Sequence, residues 1–137
     1  MKILFVCKAN IARSQMAEAF FNNLSKNHEA ISAGVDVLDF SGKRVEEISE
    51  KVPRCMLEKG IDISKKLSNQ LTEELVNQND LIVWIAPEEK IPDYLNRKKL
   101  ILWNIEDAGE KSHENWCEAR DKIEKLVKSL VDNIENS

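Results

Sequence analysis

Apolar residues fall along this chain in two alternating patterns. Short unbroken runs occur at Ile3-Leu4-Phe5-Val6, at Leu81-Ile82-Val83-Trp84-Ile85 and at Leu100-Ile101-Leu102-Trp103. Runs of this length, without polar alternation, predict strands buried on both faces. A weaker strand is expected over 30–33, ending at Gly34. Between the strands the period changes to three and four residues. Met16, Ala17, Phe20, Phe21 and Leu24 give a helix starting near Ser14 one apolar face,. Trp116, Ala119, Ile123, Leu126, Val127, Leu130, Val131 and Ile134 give the last helix a longer stripe,. A third helical stretch covers 43–59, where Pro53 is expected to split or kink it and Gly60 to cap it,. Residues 61–67 read as irregular, 71–77 as a short helix, and 87–97 as a helix or irregular crossover.

Four short apolar strands alternating with helices predict parallel βαβ units with right-handed crossovers. The expected fold class is α/β: a single three-layer domain over 1–137, with a four-stranded parallel sheet flanked by helices. Ligands of such sheets bind beyond the carboxyl ends of the strands, near the point where strand order reverses. The loops after the first and fourth strands therefore carry the candidate chemistry.

Composition narrows the function. The chain has 137 residues, 42% hydrophobic and 32% charged, enough for one core without covalent staples,. Its 20 basic and 24 acidic residues give a formal charge of -4, which lacks the basic excess of a nucleic-acid binder,. The opening MKILFVCKAN is too short for a secretory signal or a membrane span, so a cytoplasmic protein without nucleic-acid or membrane partners is expected,. Cys7, Cys55 and Cys117 are odd in number, far apart and outside any CxxC or Cys/His spacing typical of metal sites,. No disulfide framework, metal or cofactor is expected. Cys55 and Cys117 read as incidental helix thiols, and His28 and His113 receive no role.

Cys7 differs in its surroundings. It ends the first strand, and Cys7-Lys8-Ala9-Asn10-Ile11-Ala12-Arg13-Ser14 leads straight into the first helix. A loop of this length can turn its successive backbone N–H groups inward and, with the positive end of the helix, cradle a tetrahedral oxyanion. The same field favours a thiolate on Cys7. Arg13 offers a planar fork able to hold two oxygens of a phosphate-like group. A cation in the first turn opposes the helix dipole and so calls for an anionic partner. Ser14 reads as an N-cap or as a hydrogen-bonding partner of the sulfur or of the leaving oxygen. Asn10 reads as a turn former that tolerates a left-handed backbone and braces the loop.

With this loop the chain resembles the low-molecular-weight protein tyrosine phosphatase and thioredoxin-coupled arsenate reductase superfamily, whose hallmark is C-x5-R-[ST] between first strand and first helix. The resemblance extends through ILFVCKANIARSQMAEAFFN, ISAG, MLEKGIDIS, DLIVW and IED, in that order, over most of the chain. It implies a flavodoxin-like sheet of the phosphotyrosine phosphatase I type, a cysteinyl-phosphate intermediate, no metal, and an aspartate general acid after the fourth strand. The matching position is Asp107, with Glu106 its nearest rival. Hydrolysis needs such an acid because the departing alkoxide or phenoxide must take a proton. Family members usually carry Asp-Pro here; Ala108 follows instead, which predicts a less rigid loop.

The same resemblance frames the choice of reaction. Arsenate reductases of this kind need two further cysteines after the third strand for a disulfide relay, and W-I-A-P-E-E-K-I-P-D-Y-L has none,. Against this, Gln15 matches the reductase wording, the tyrosine pair of the phosphatases is missing, and Ala12 replaces a second loop cysteine, leaving Cys7 open to irreversible oxidation,. The expected function is phosphomonoester hydrolysis of the protein tyrosine phosphatase type, acting on a phosphorylated protein or small phosphomonoester. The alternatives are arsenate reduction with an external thiol and a phosphate-binding regulatory module. The expected catalytic residues are Cys7, Arg13 and Asp107, with Lys8, Ala9, Asn10, Ile11, Ala12, Arg13 and Ser14 binding the phosphate or arsenate oxyanion. Trp84, Trp103 and Trp116 read as core or pocket-rim residues, with Trp103 and Tyr94 candidates for the substrate mouth.

Overall fold

The computed structural model describes residues 1–107 and 112–136. Strands β1 (Lys2–Cys7), β2 (Glu29–Gly34), β3 (Leu81–Trp84) and β4 (Leu100–Leu102) form one parallel sheet in the order β2-β1-β3-β4. The helices are α1 (Arg13–Leu24), α2 (Val45–Ile48), α3 (Lys51–Leu57), α4 (Glu73–Gln78) and α5 (His113–Glu135).

The pleat of β1 divides the core. Ile3, Phe5 and Cys7 face the layer that holds Met16 and Phe20 of α1, Cys55 and Met56 of α3, and Ile123 and Val127 of α5. Leu4 and Val6 face the opposite layer, with Val76 of α4, Trp84, Ile91 and Leu95. Residues 3–6 of β1 are fully buried on both faces, as their unbroken apolar run requires,. Each large side chain so buried contributes roughly 1.5–3 kcal/mol. Phe5 also meets Phe21 edge-on at 6.0 Å and Trp103 at 5.6 Å between ring centroids.

Sequence pattern and structure differ in two instructive places. The stretch 43–59 does divide into two helices, but the break falls at Ser49 and Glu50. Pro53 instead lies in the first turn of α3, where a missing N–H costs nothing because the first four donors of a helix have no intrahelical acceptor,. The end of α3 carries the expected glycine: Gly60 has φ +75°, its N–H reaches the Leu57 carbonyl at 2.9 Å, and Ile61 N–H reaches Met56 O at 3.1 Å. That is the left-handed cap that a side chain would strain. Strand β4 is an edge rather than a buried strand: Leu100 and Ile101 are half-buried and Leu102 is exposed. The crossover over 87–97 holds only short 3₁₀ turns at Glu88–Lys90 and Arg97–Lys99.

The strand order reverses between β1 and β3, so the crevice beyond their carboxyl ends is the expected ligand position for an open parallel sheet,. The loop from Cys7 to Arg13 opens into that crevice, flanked by the segments that follow β3 and β4.

Candidate active site

Cys7 closes β1 with its side chain almost wholly buried, at 2% exposure. Its Sγ lies 2.9 Å from Ser14 Oγ and accepts the Asn10 backbone N–H at 3.3 Å. Asn10 is the pivot of the loop. Its φ of 56° puts it in the left-handed region, which Asn tolerates better than most residues,. The side chain is fully enclosed: Oδ1 accepts the Asn69 N–H at 2.8 Å, while Nδ2 donates to Ser14 Oγ at 2.8 Å and to Ser32 Oγ at 2.9 Å. Ser14 Oγ receives a hydrogen from Asn10, and its own hydroxyl hydrogen can point at an ionised Cys7 sulfur,. That direction stabilises a thiolate.

The network continues away from the sulfur. Ser32 Oγ, likewise an acceptor from Asn10, donates to Glu18 Oε1 at 3.0 Å, and Glu18 Oε2 is ion-paired with the Lys66 ammonium. Burial holds Lys66 below the ordinary lysine range. A buried carboxylate so paired fixes the direction of the Ser32 hydroxyl, which leaves its oxygen free to accept from Asn10,. Gln15 adds a further brace, donating to Asn10 O and Oδ1, each at 3.2 Å, and to Leu67 O at 2.9 Å.

Two contacts hold the loop down from below. Ser68 Oγ donates to Ala9 O at 2.8 Å, and Gly34 packs so closely that a Cβ there would stand 2.7 Å from Lys8 O and 2.8 Å from Asn10 N. Ser32, Gly34, Ser68 and Asn69 thus support the loop although the sequence gives them no marked role. Gly34 was legible only as the end of a strand, because a close backbone approach leaves no local pattern.

Arg13 begins α1, a helix with no side-chain cap and no acid in its first turn. Such a terminus is suited to an anion. The guanidinium is buried, at 6% exposure; Nη1 donates to Ile85 O at 3.2 Å and to Ile105 O at 3.1 Å, and Nη2 lies 3.6 Å from Asp107 Oδ2. One side chain therefore joins the carbonyls that follow β3 and β4 and faces the acid. A pocket of about 530 Å³ opens at this point, lined among others by Lys8, Arg13, Glu88, Trp103 and Asp107. Asp107 is half-exposed, its side chain at 49%, and so is open to the pocket and to solvent. Glu106 is exposed and does not line the pocket, and neither does Tyr94, whereas Trp103 does. Ala108, whose effect on the loop was the notable departure in sequence, lies outside the described residues.

The family model described as low molecular weight phosphotyrosine protein phosphatase matches residues 2–137. The chain belongs to that family. Among its relatives, arsenate reductase 2 of Staphylococcus saprophyticus is 30% identical over 134 residues, covering 96% of each chain. Among solved structures, Vibrio vulnificus Wzb in complex with benzylphosphonate superposes with a TM-score of 0.87 at 26% identity, over 96% of this chain and 97% of that one. The YwlE arginine phosphatase from Geobacillus stearothermophilus gives a TM-score of 0.85 at 26% identity, over 98% and 93% of the two chains. The fold and the cysteine-dependent phosphatase character of this low-molecular-weight phosphatase chain follow from these likenesses. Among the described residues no helix is long and apolar enough to cross a membrane.

One expectation needs correction. The sequence shows Cys55, Cys117 and His113 as unrelated, and the structure brings them together. The two sulfurs are 3.2 Å apart, Cys55 Sγ is 3.5 Å from His113 Nδ1, and Cys117 Sγ is 3.4 Å from His113 Nε2. His113 and Cys117 are four residues apart on α5, a spacing that places both on one helix face and was available as a signal,. Cys55 comes from α3, which only tertiary packing brings alongside.

Proposed function

We propose that this chain is a phosphomonoester hydrolase of the protein tyrosine phosphatase type, with Cys7 as nucleophile, Arg13 as phosphate clamp and Asp107 as general acid. The observation that carries the reading is the surroundings of Cys7: its sulfur accepts the Asn10 N–H at 3.3 Å and lies 2.9 Å from Ser14 Oγ, at the start of a loop that ends in the buried Arg13. The thiolate attacks phosphorus and the phosphorus–oxygen bond to the leaving group breaks. Asp107 protonates the departing oxygen, then as carboxylate takes a proton from the water that releases phosphate from the cysteinyl-phosphate. The N–H groups of residues 8–13 and the start of α1 receive the three phosphoryl oxygens. Arg13 exchanges its contact with Asp107 for the substrate.

The proposed setting is cytoplasmic, within one catalytic domain over 1–137, and the proposed substrate is a phosphorylated protein side chain. The family is described by phosphotyrosine and one solved neighbour is named an arginine phosphatase, so phosphotyrosine and phosphoarginine peptides belong in one assay. A second reading, arsenate reduction with an external thiol, is favoured by the relatives that bear that name. Reduced protein should hydrolyse para-nitrophenyl phosphate and at least one phosphopeptide, with kcat falling about 10²–10⁴-fold in Asp107→Asn. Arsenate turnover with added thiol, and no phosphatase turnover, overturns the first reading in favour of the second.

A further inference from the structure

The cluster between α3 and α5 has a different character from the Cys7 loop. Its donors come as Cys55 with Glu58 at the end of α3, and His113 with Cys117 in the first turns of α5. Cys55 is fully buried; Cys117 and His113 are half-buried. One donor atom from each of the three lies within 4.8 Å of the others. Ligands on a tetrahedral zinc, with metal–sulfur bonds of about 2.3 Å and metal–nitrogen bonds of about 2.0–2.1 Å, stand roughly 3.5–3.8 Å apart. With Nδ1 as the ligand nitrogen, its 3.5 Å from Cys55 Sγ already fits, the sulfur pair at 3.2 Å needs a small opening, and Cys117 Sγ, 3.4 Å from the other ring nitrogen, must turn toward Nδ1 within a cluster whose donor atoms lie within 4.8 Å of one another.

The imidazole is held for this task. Glu58 Oε2 lies 2.6 Å from His113 Nε2, which fixes the ring and leaves Nδ1 facing Cys55. A carboxylate on the far nitrogen is the usual support for a metal-bound histidine. Arg120, itself buried, donates to the second oxygen of Glu58 at 2.9 Å and to Cys55 O at 2.8 Å, locking the carboxylate and the backbone that presents Cys55. Charge points the same way. Arg120 is shared between Glu58 and Asp121, so with both thiols ionised it leaves no positive charge over for them, and a divalent cation would match the two thiolates.

We propose that Cys55, Cys117 and His113 bind zinc, with Glu58 orienting the histidine and water in the fourth position. Binding expels the thiol protons as the zinc–sulfur bonds form, and nothing is oxidised or reduced. Because the ligating thiols must give up their protons to the solvent, affinity rises with pH. The ion ties the first turn of α5, six residues past Asp107, to the end of α3.

Full-length Cys7→Ser protein, reduced and stripped of metal, removes the other reactive thiol from the experiment. Titration with zinc(II) against a chromophoric chelator should give one zinc per chain and a higher Tm, and cobalt(II) should give a thiolate-to-metal charge-transfer band. His113→Asn and Cys117→Ser should weaken zinc more than about 100-fold, and Glu58→Gln about 10–100-fold. His113 is half-buried, so its variant keeps the test valid if replacement of the fully buried Cys55 prevents folding. Absence of stoichiometric zinc in the reduced protein, or binding that is the same in the His113 and Cys117 variants, overturns the proposal.

Discussion

The Cys7 sulfur is surrounded by groups from its own loop, with Asn10 and Ser14 three and seven residues away, whereas the Cys55 sulfur meets Cys117 from 62 residues away. The first centre is made by a strand end, a loop of set length and a helix start, and its backbone N–H groups suit an anion. The second is made by side chains of two packed helices, and its thiols and imidazole suit a cation. Burial is similar at the two buried thiols, at 2% for Cys7 and 0% for Cys55, so burial does not decide what a thiol does. What separates them is the sign of the surrounding groups. The Asn10 N–H points at Cys7 and the Ser14 hydroxyl stands 2.9 Å from it, while Cys55 has another sulfur and a histidine nitrogen against it.

Exchanging the functions of the two centres by mutation should therefore fail. Cys7→Ser should abolish phosphatase turnover, by about four orders of magnitude or more, while the same protein still binds zinc at the second centre. Steady-state kinetics and a zinc titration on one preparation check both halves. A smaller effect is expected where the loop rests on β2. Gly34→Ala places a methyl group against the backbone of Lys8, Ala9 and Asn10. The variant should lose about 1–3 kcal/mol in denaturant unfolding, and kcat/KM should fall because the loop must shift.

The smallest expected effect is electrostatic, at the second centre without metal. The hydrogen bond from Arg120, followed by that from His113, holds Glu58 at about 2 instead of its ordinary 4.5. A depressed carboxyl stabilises the fold above the unfolded value, and that contribution is lost as pH falls from about 4.5 toward 2,. Glu58→Gln should thus lower Tm at pH 7, and the gap to wild type should close as the pH is taken down through that range. Cys55 has the opposite sign. Its raised pKa stabilises the fold below about 9, and that contribution disappears as pH climbs from 9.0 toward 12, which Cys55→Ala should flatten in thermal scans,.

Much of this architecture was legible because it is local. The unbroken runs at 3–6 and 81–85 carry the pattern of buried strands, and C-K-A-N-I-A-R-S carries its chemistry in consecutive residues,. The edge position of β4 was not legible, since Leu100-Ile101-Leu102 has the composition of a central strand and only sheet order exposes it. The supports of the loop were hidden for a related reason. Ser32, Gly34, Ser68 and Asn69 are ordinary residues whose value lies in the atoms across from them. The Cys55 centre was half legible: His113 and Cys117 share a helix face by spacing, and Cys55 joins them only through packing of α3 on α5.

The bond between Cys7 and phosphorus is the step on which the catalytic reading stands. Asp107→Asn, mixed with para-nitrophenyl phosphate, quenched in acid and digested, should yield the peptide containing Cys7 with one phosphoryl group attached through sulfur, and Cys7→Ser should yield none while failing to turn over. Turnover that persists in Cys7→Ser, or a wild-type enzyme that hydrolyses substrate while its quenched Cys7 peptide never carries phosphate even when Asp107 is replaced, would contradict it.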